Sequence, residues 1–186
     1  MCAVVALVAC PAGADIINGS FETGDFTGWL KQEARGAASV VPGGTDGSWM
    51  AEMELHGEYV ERPGGTVFAP ALVCLFQELT VPGDAQFLVF DAWVEGFSTI
   101  RVFLSVPDSP EVLVSANGPT TYVVPVAGVQ EVSTFVNFLA RDEDVGTNRA
   151  YLDHVRFTDI AEPSSAALLA SGVLWAAIAL QRTARV

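Results

Sequence analysis

From residue 48 to residue 158 the chain is a succession of short apolar or alternating runs, each closed by a turn signal, and no stretch repeats with the period of a helix. That pattern constrains the fold more than any other feature. Trp49, Ala51, Met53 and Leu55 alternate with Glu52, Glu54 and His56, the mark of a half-buried strand. Runs at 72–81, 85–95, 99–106, 111–116, 120–126, 131–141 and 149–158 follow. Pro82-Gly83-Asp84, Asn117-Gly118-Pro119, Ala127-Gly128 and 142–148 separate them. Residues 18–29 read as glycine-punctuated turns entering a strand, and 58–70 as a loop around Pro63-Gly64-Gly65. The reading is an all-β jelly-roll β-sandwich over 15–160. Its strands 72–81 and 85–95, apolar on both faces, are expected to be central antiparallel partners in a meander.

The two ends read differently. Residues 1–9 are apolar and Ala12-Gly13-Ala14 has the form of a signal cleavage site, so 1–14 is expected to be an export signal with its basic start missing. Leu7-Val8-Ala9-Cys10 offers a lipoprotein box as the alternative. At the other end, Glu162-Pro163-Ser164-Ser165 precedes an apolar run over 166–180, followed by Arg182 and Arg185. Fifteen helical residues span roughly 22 Å, short of the roughly 30 Å of a bilayer core. The arginines would stay on the cytoplasmic side. The expectation is a C-terminal hydrophobic helix that anchors an exported domain in the inner membrane.

All 22 acidic residues lie between Asp15 and Glu162, with seven of the nine basic ones, and the whole chain has net charge −13. Nucleic acid is excluded as a natural partner. Cys74 stands alone once Cys2 and Cys10 leave with the signal, so the domain has no internal disulfide, and its apolar neighbours predict a buried thiol. Glu52 and Glu54 share one open strand face and lack the unlike environments that a glycosidase pair needs. No serine or cysteine is set beside a base, so the chain is not read as an enzyme.

Two resemblances add to this. Glu162, Pro163, Ser164 and Ser165, the run 166–180 and the Arg182/Arg185 tail resemble the PEP-CTERM sorting signal, with Ala161 where the first proline would stand. The resemblance implies processing by an exosortase, a cell-surface or extracellular destination and association with exopolysaccharide. Asn18-Gly19-Ser20-Phe21-Glu22 with Trp29, and Tyr151-Leu152-Asp153-His154-Val155-Arg156-Phe157, resemble the two ends of galactose-binding-domain-like jelly rolls, the fold of many carbohydrate-binding modules. His154 departs from that pattern, where an Asp or Asn is usual. Asp46-Gly47-Ser48 and 77–81 leading to 88–91 are also similar to PEP-CTERM proteins of this type.

Asp153 is in phase with Tyr151, Val155 and Phe157, so if these face the core its charge must be compensated there. The second resemblance implies a structural Ca²⁺ held by Glu22, Asp153 and carbonyl oxygens of the 43–47 loop. Hydrogen bonds from turn amides, or an arginine, are the alternative. Among the aromatics Trp29, Trp49, Trp93, Tyr59 and Tyr122, most are expected in the core. Tyr59 is the candidate for stacking on a sugar. Two functions stand side by side: a glycan-binding module of the envelope or exopolysaccharide, and a structural surface or matrix protein with no specific small ligand. An exposed aromatic cluster on a concave face would favour the first.

Overall fold

The computed structural model describes residues 15–142 and 144–159. The expected export signal 1–14, the residues Glu162, Pro163, Ser164, Arg182 and Arg185 of the expected sorting signal, and the expected terminal helix lie outside the described residues. Eleven strands are present among the described residues: β1 Leu30–Ala34, β2 Gly36–Pro42, β3 Trp49–Arg62, β4 Gly65–Ala69, β5 Leu72–Thr80, β6 Phe87–Glu95, β7 Ser98–Leu104, β8 Val112–Val114, β9 Thr120–Pro125, β10 Ser133–Asp142 and β11 Gly146–Thr158. They form two antiparallel sheets, one ordered β1-β5-β10-β7-β8 and the other β2-β3-β11-β6-β9, with β4 added to β3.

The alternation of side chains places the core between the sheets. Phe21, Met53, Leu55, Leu75, Phe90 and Phe138 are fully buried there. Phe90 stacks on Tyr122 at 5.4 Å and meets Phe138 edge to face at 5.2 Å. At the β1–β2 corner, Glu33 accepts the Ala38 amide proton at 2.8 Å and Lys31 reaches the Ala38 carbonyl at 3.3 Å, so side chains bridge the two sheets where backbone pairing stops.

Three expectations are corrected. Residues 58–70 are not a loop: β3 runs on to Arg62 and returns as β4, with Tyr59 opposite Phe68, because residues flanking Pro63-Gly64 favour extended backbone. Strands β5 and β6 are both central but are not partners. β5 pairs with β1 and β10, while β6 pairs with β11 and β9. The link between them turns through the Ala85 amide to the Pro82 carbonyl, 3.1 Å, and Gln86 is then captured by the Thr158 carbonyl, 2.9 Å. The chain thus crosses from one layer to the other, and crosses back from β6 to β7, so 72–106 is no meander. Finally, β1 and β2 form where only the entry to a strand was expected. Their exposed or edge positions carry a lysine, a glutamine, a glutamate and alanines with no apolar rhythm.

Candidate functional site

The Glu22 and Asp153 carboxylates grip the same segment, the β2–β3 loop 43–48. The register of β11 breaks between Asp153 and Arg156, where His154 takes a positive φ of 53°. This bulge resets the phase of the strand. Val155 and Phe157 face the core, but Tyr151 and Asp153 lie on the outer face, with Trp93 opposite Tyr151 and Asp91 opposite Asp153. The expectation that Tyr151 shares the core with Val155 is therefore corrected. Asp153 is nonetheless 0 % exposed, because the loop lies over it.

Asp153 Oδ2 accepts from the Thr45 amide at 2.6 Å and the Asp46 amide at 3.1 Å, with the Thr45 hydroxyl 3.1 Å away, and Oδ1 accepts from the His154 amide at 2.7 Å. Burial pushes this carboxyl above the ordinary range, against the pull of those donors. Glu22 Oε1 accepts the Ser48 and Trp49 amides, each at 2.8 Å. Asp91 accepts the hydroxyls of Thr45 and Thr121, each at 2.6 Å. His154 stands between Asp46 and Asp91, with Nε2 3.3 Å and Nδ1 3.6 Å from their carboxylates.

Glycines make room for this arrangement. Gly47, at φ 117°, leaves the space that the Glu22 carboxylate fills, and Gly19 lets the N-terminal turn lie on the Val155 carbonyl. The chemistry of the donors decides what the cluster can hold. The loop offers N–H groups to Asp153, where a calcium ion needs carbonyl oxygens. Among the described residues no group of three or more His, Cys, Asp or Glu is arranged for a metal ion. The residues do not fit Ca²⁺ and fit a set of turn amides. Thr45 and Asp91 were not legible as members of the cluster, although an aspartate inside the apolar run Leu88-Val89-Phe90-Asp91-Ala92-Trp93-Val94 was a signal that a buried charge needed partners.

A second candidate lies on the outer face of the five-stranded sheet. The register sets Leu30, Phe76, Asn137 and Phe103 in one row across β1, β5, β10 and β7, and Gln32, Cys74, Leu139, Arg101 and Leu113 in the next. Phe135 stands beside them and meets Phe76 edge to face at 5.9 Å. A groove of about 250 Å³ is lined by Gln32, Cys74, Phe76, Ser105, Phe135 and Asn137. These phenylalanines are half-buried on a face that no strand covers among the described residues. Cys74 is half-buried on this face rather than in the core, and burial raises its thiol above the ordinary range. Arg101 is held by Glu111 through two bonds of 2.6 and 2.8 Å.

Of the tryptophans expected in the core, Trp29 lies between the sheets and Trp93 on the outer face of the six-stranded sheet. Trp29 is buried against Phe21 and Phe138, and Trp93 stacks on Tyr151 at 4.8 Å. Tyr59 is 61 % exposed on the β3–β4 hairpin, beside Phe68 at 5.8 Å, and apart from the aromatic rows.

Solved structures align with most of the chain. TmCBM61, a carbohydrate-binding module solved with β-1,4-galactotriose, superposes with a TM-score of 0.57 at 16 % identity over 78 % of this chain and 98 % of its own. A carbohydrate-binding module from a study of promiscuous specificity in the β-sandwich superfamily gives 0.50 at 14 % over 75 % of this chain and 60 % of its own. The fold is a carbohydrate-binding-module-like jelly roll. The enzymatically active domain of tailspike protein 4 of bacteriophage CBA120 also contains this jelly roll in 21 % of its length, with a TM-score of 0.51 at 14 % identity over 76 % of this chain. No family model matches the chain, and no curated protein does.

Proposed function

We propose that this chain is an exported, non-catalytic glycan-binding module of the cell envelope or exopolysaccharide layer, and that the outer face of the five-stranded sheet is its binding platform. The observation that carries the reading is the row of half-buried phenylalanines with Asn137 between them, beside an open groove. Flat apolar rings with a few fixed polar groups are what a sugar ring requires. The neighbouring carbohydrate-binding modules support it through the shared fold. Sorting belongs to the same reading: an exosortase acts at Glu162, Pro163 and Ser164, and the 166–180 run with Arg182 and Arg185 holds the precursor in the inner membrane.

Affinity electrophoresis in gels containing a panel of polysaccharides tests the binding. The chain should be retarded by at least one polymer, and Phe76→Ala should abolish the retardation while Tyr59→Ala leaves it. Migration unaffected by every polymer would leave the structural matrix protein as the reading. Mass spectrometry of envelope material tests the sorting, and a mature species retaining Trp175 in exosortase-positive cells would defeat it.

A further inference from the structure

Resting on that reading, we infer that the platform takes an uncharged, hydroxyl-rich polysaccharide and excludes acidic ones, with Asn137 as the polar specificity residue and the Arg101–Glu111 pair as the charge gate. Asn137 Nδ2 donates to the Ser105 hydroxyl at 2.9 Å and to the Phe135 and Phe103 carbonyls at 3.0 and 3.4 Å. Its donors are spent on the sheet, and its Oδ1 takes no hydrogen bond among the described residues. The central polar group of the row is therefore an acceptor, which demands a hydroxyl donor from the ligand and repels a carboxylate or sulfate. A basic residue could reverse this. Arg101, one row away, has its fork closed by Glu111 in the bidentate geometry that guanidinium and carboxylate favour, and Arg141 beyond it is also engaged. Glu78, opposite Phe135 in the register, adds an exposed negative charge, and the chain as a whole carries −13. A polyanion would meet repulsion both at long range and at the groove.

The apolar part of the row fits an extended polymer better than a monosaccharide. Phe76 and Phe103 flank Asn137 from β5 and β7, so they stand two strand spacings apart, roughly 10 Å. One sugar ring cannot cover both.

The test uses the whole chain with two kinds of polymer, neutral galactan or β-glucan and a polyuronate, each measured at low and high salt. Retardation by a neutral polymer, little changed by salt, is expected, with a loss of about tenfold for Phe103→Ala. Glu111→Gln should give the polyuronate an affinity that falls with salt, because it frees the Arg101 guanidinium. Since a variant can fail for reasons of folding, the native chain supplies a second readout: the neutral polymer should slow alkylation of Cys74, followed by peptide mass. Preference of the native chain for the polyuronate, or no gain in Glu111→Gln, overturns this inference and leaves the glycan reading standing. Failure of every polymer to bind or to protect Cys74 removes both.

Discussion

On the outer face of the six-stranded sheet Trp93 and Tyr151 stack at 4.8 Å and 17°, with Met50 and Val41 packed beside them, and all but Val41 are buried. On the outer face of the five-stranded sheet Phe76 and Phe135 meet at 5.9 Å and the groove beside them is open. Both faces carry aromatics on strands that are apolar on two sides. The difference lies in the cover. Loop 43–48 is pinned over one end of the six-stranded sheet by amide bonds to Glu22 and Asp153, and the Met50 methyl comes close to Gly43 of that loop. Tyr151 finds a further partner in Glu95 at 3.1 Å, and burial together with that carboxylate keeps its phenol protonated far above the usual range. Nothing comparable folds over the five-stranded sheet among the described residues. Aromatics on a covered face add stability, and aromatics on an uncovered one are free to be a surface for a ligand.

The comparison breaks most visibly if the two faces respond alike to truncation. Trp93→Ala should cost roughly 3–5 kcal/mol, as for a buried aromatic. Phe103→Ala should cost about 1 kcal/mol or less and act on glycan binding instead. Urea denaturation of the two variants decides between these. Equal losses would mean that the five-stranded face is as much core as the other.

The cover itself is the next target. Asp153→Ala leaves the amides of Thr45 and Asp46 without their acceptor, so the domain should lose roughly 2–3 kcal/mol. Gly47→Ala, at a φ that side chains rarely adopt and in the space of the Glu22 carboxylate, should lose roughly 1–3 kcal/mol. Neither calcium nor a chelator should move the melting temperature of the native chain, since amides already satisfy Asp153. A calcium-dependent rise absent from Asp153→Asn would show that the loop turns its carbonyls inward and that the cover is a metal site.

Much of this was legible from residue types. The alternation of Trp49 to Leu55, the turn signals and the absence of helical periodicity are local, and they specified strands and an all-β sandwich. Glu22 and Asp153 both reach the segment 45–49, but they take amide protons there, where the resemblance implied carbonyl oxygens around a cation. Partnership was not legible, because periodicity reports how many faces of a strand are apolar and not which strand lies beside it. That is why β5 and β6 read as a hairpin. The same ambiguity hid the outer aromatic row: Cys74 and Phe76 in an apolar run read as core, and only the positions of β1, β10 and β7 reveal that one face of that run is open among the described residues. The bulge at His154 was equally silent, since no residue there announces a left-handed conformation, and it alone moves Asp153 to the outer face.

The finest test of the cover is its pH dependence. Burial holds the Asp153 carboxyl above its ordinary value, with the Asp46, His154 and Thr45 donors opposing. A group raised in the folded state contributes stability that is complete below the unfolded value, about 3.9 for aspartate, and is lost as pH rises through the folded value. Glu33 behaves in the opposite sense. The Ala38 amide and Lys31 hold it below its ordinary value, so its contribution is present above about 4.3 and is lost as pH falls through the folded value. Glu33 is partly exposed at the β1–β2 corner, and solvent screens its share. Denaturation midpoints measured at intervals from the acid side should therefore show the native chain losing ground to Asp153→Asn as pH rises above 3.9, and gaining ground on Glu33→Gln over the window below 4.3. A native-minus-Asp153→Asn difference that grows with pH would mean that the carboxylate is held ionised by its amides and reached by water, and the loop would then be no seal over the six-stranded face.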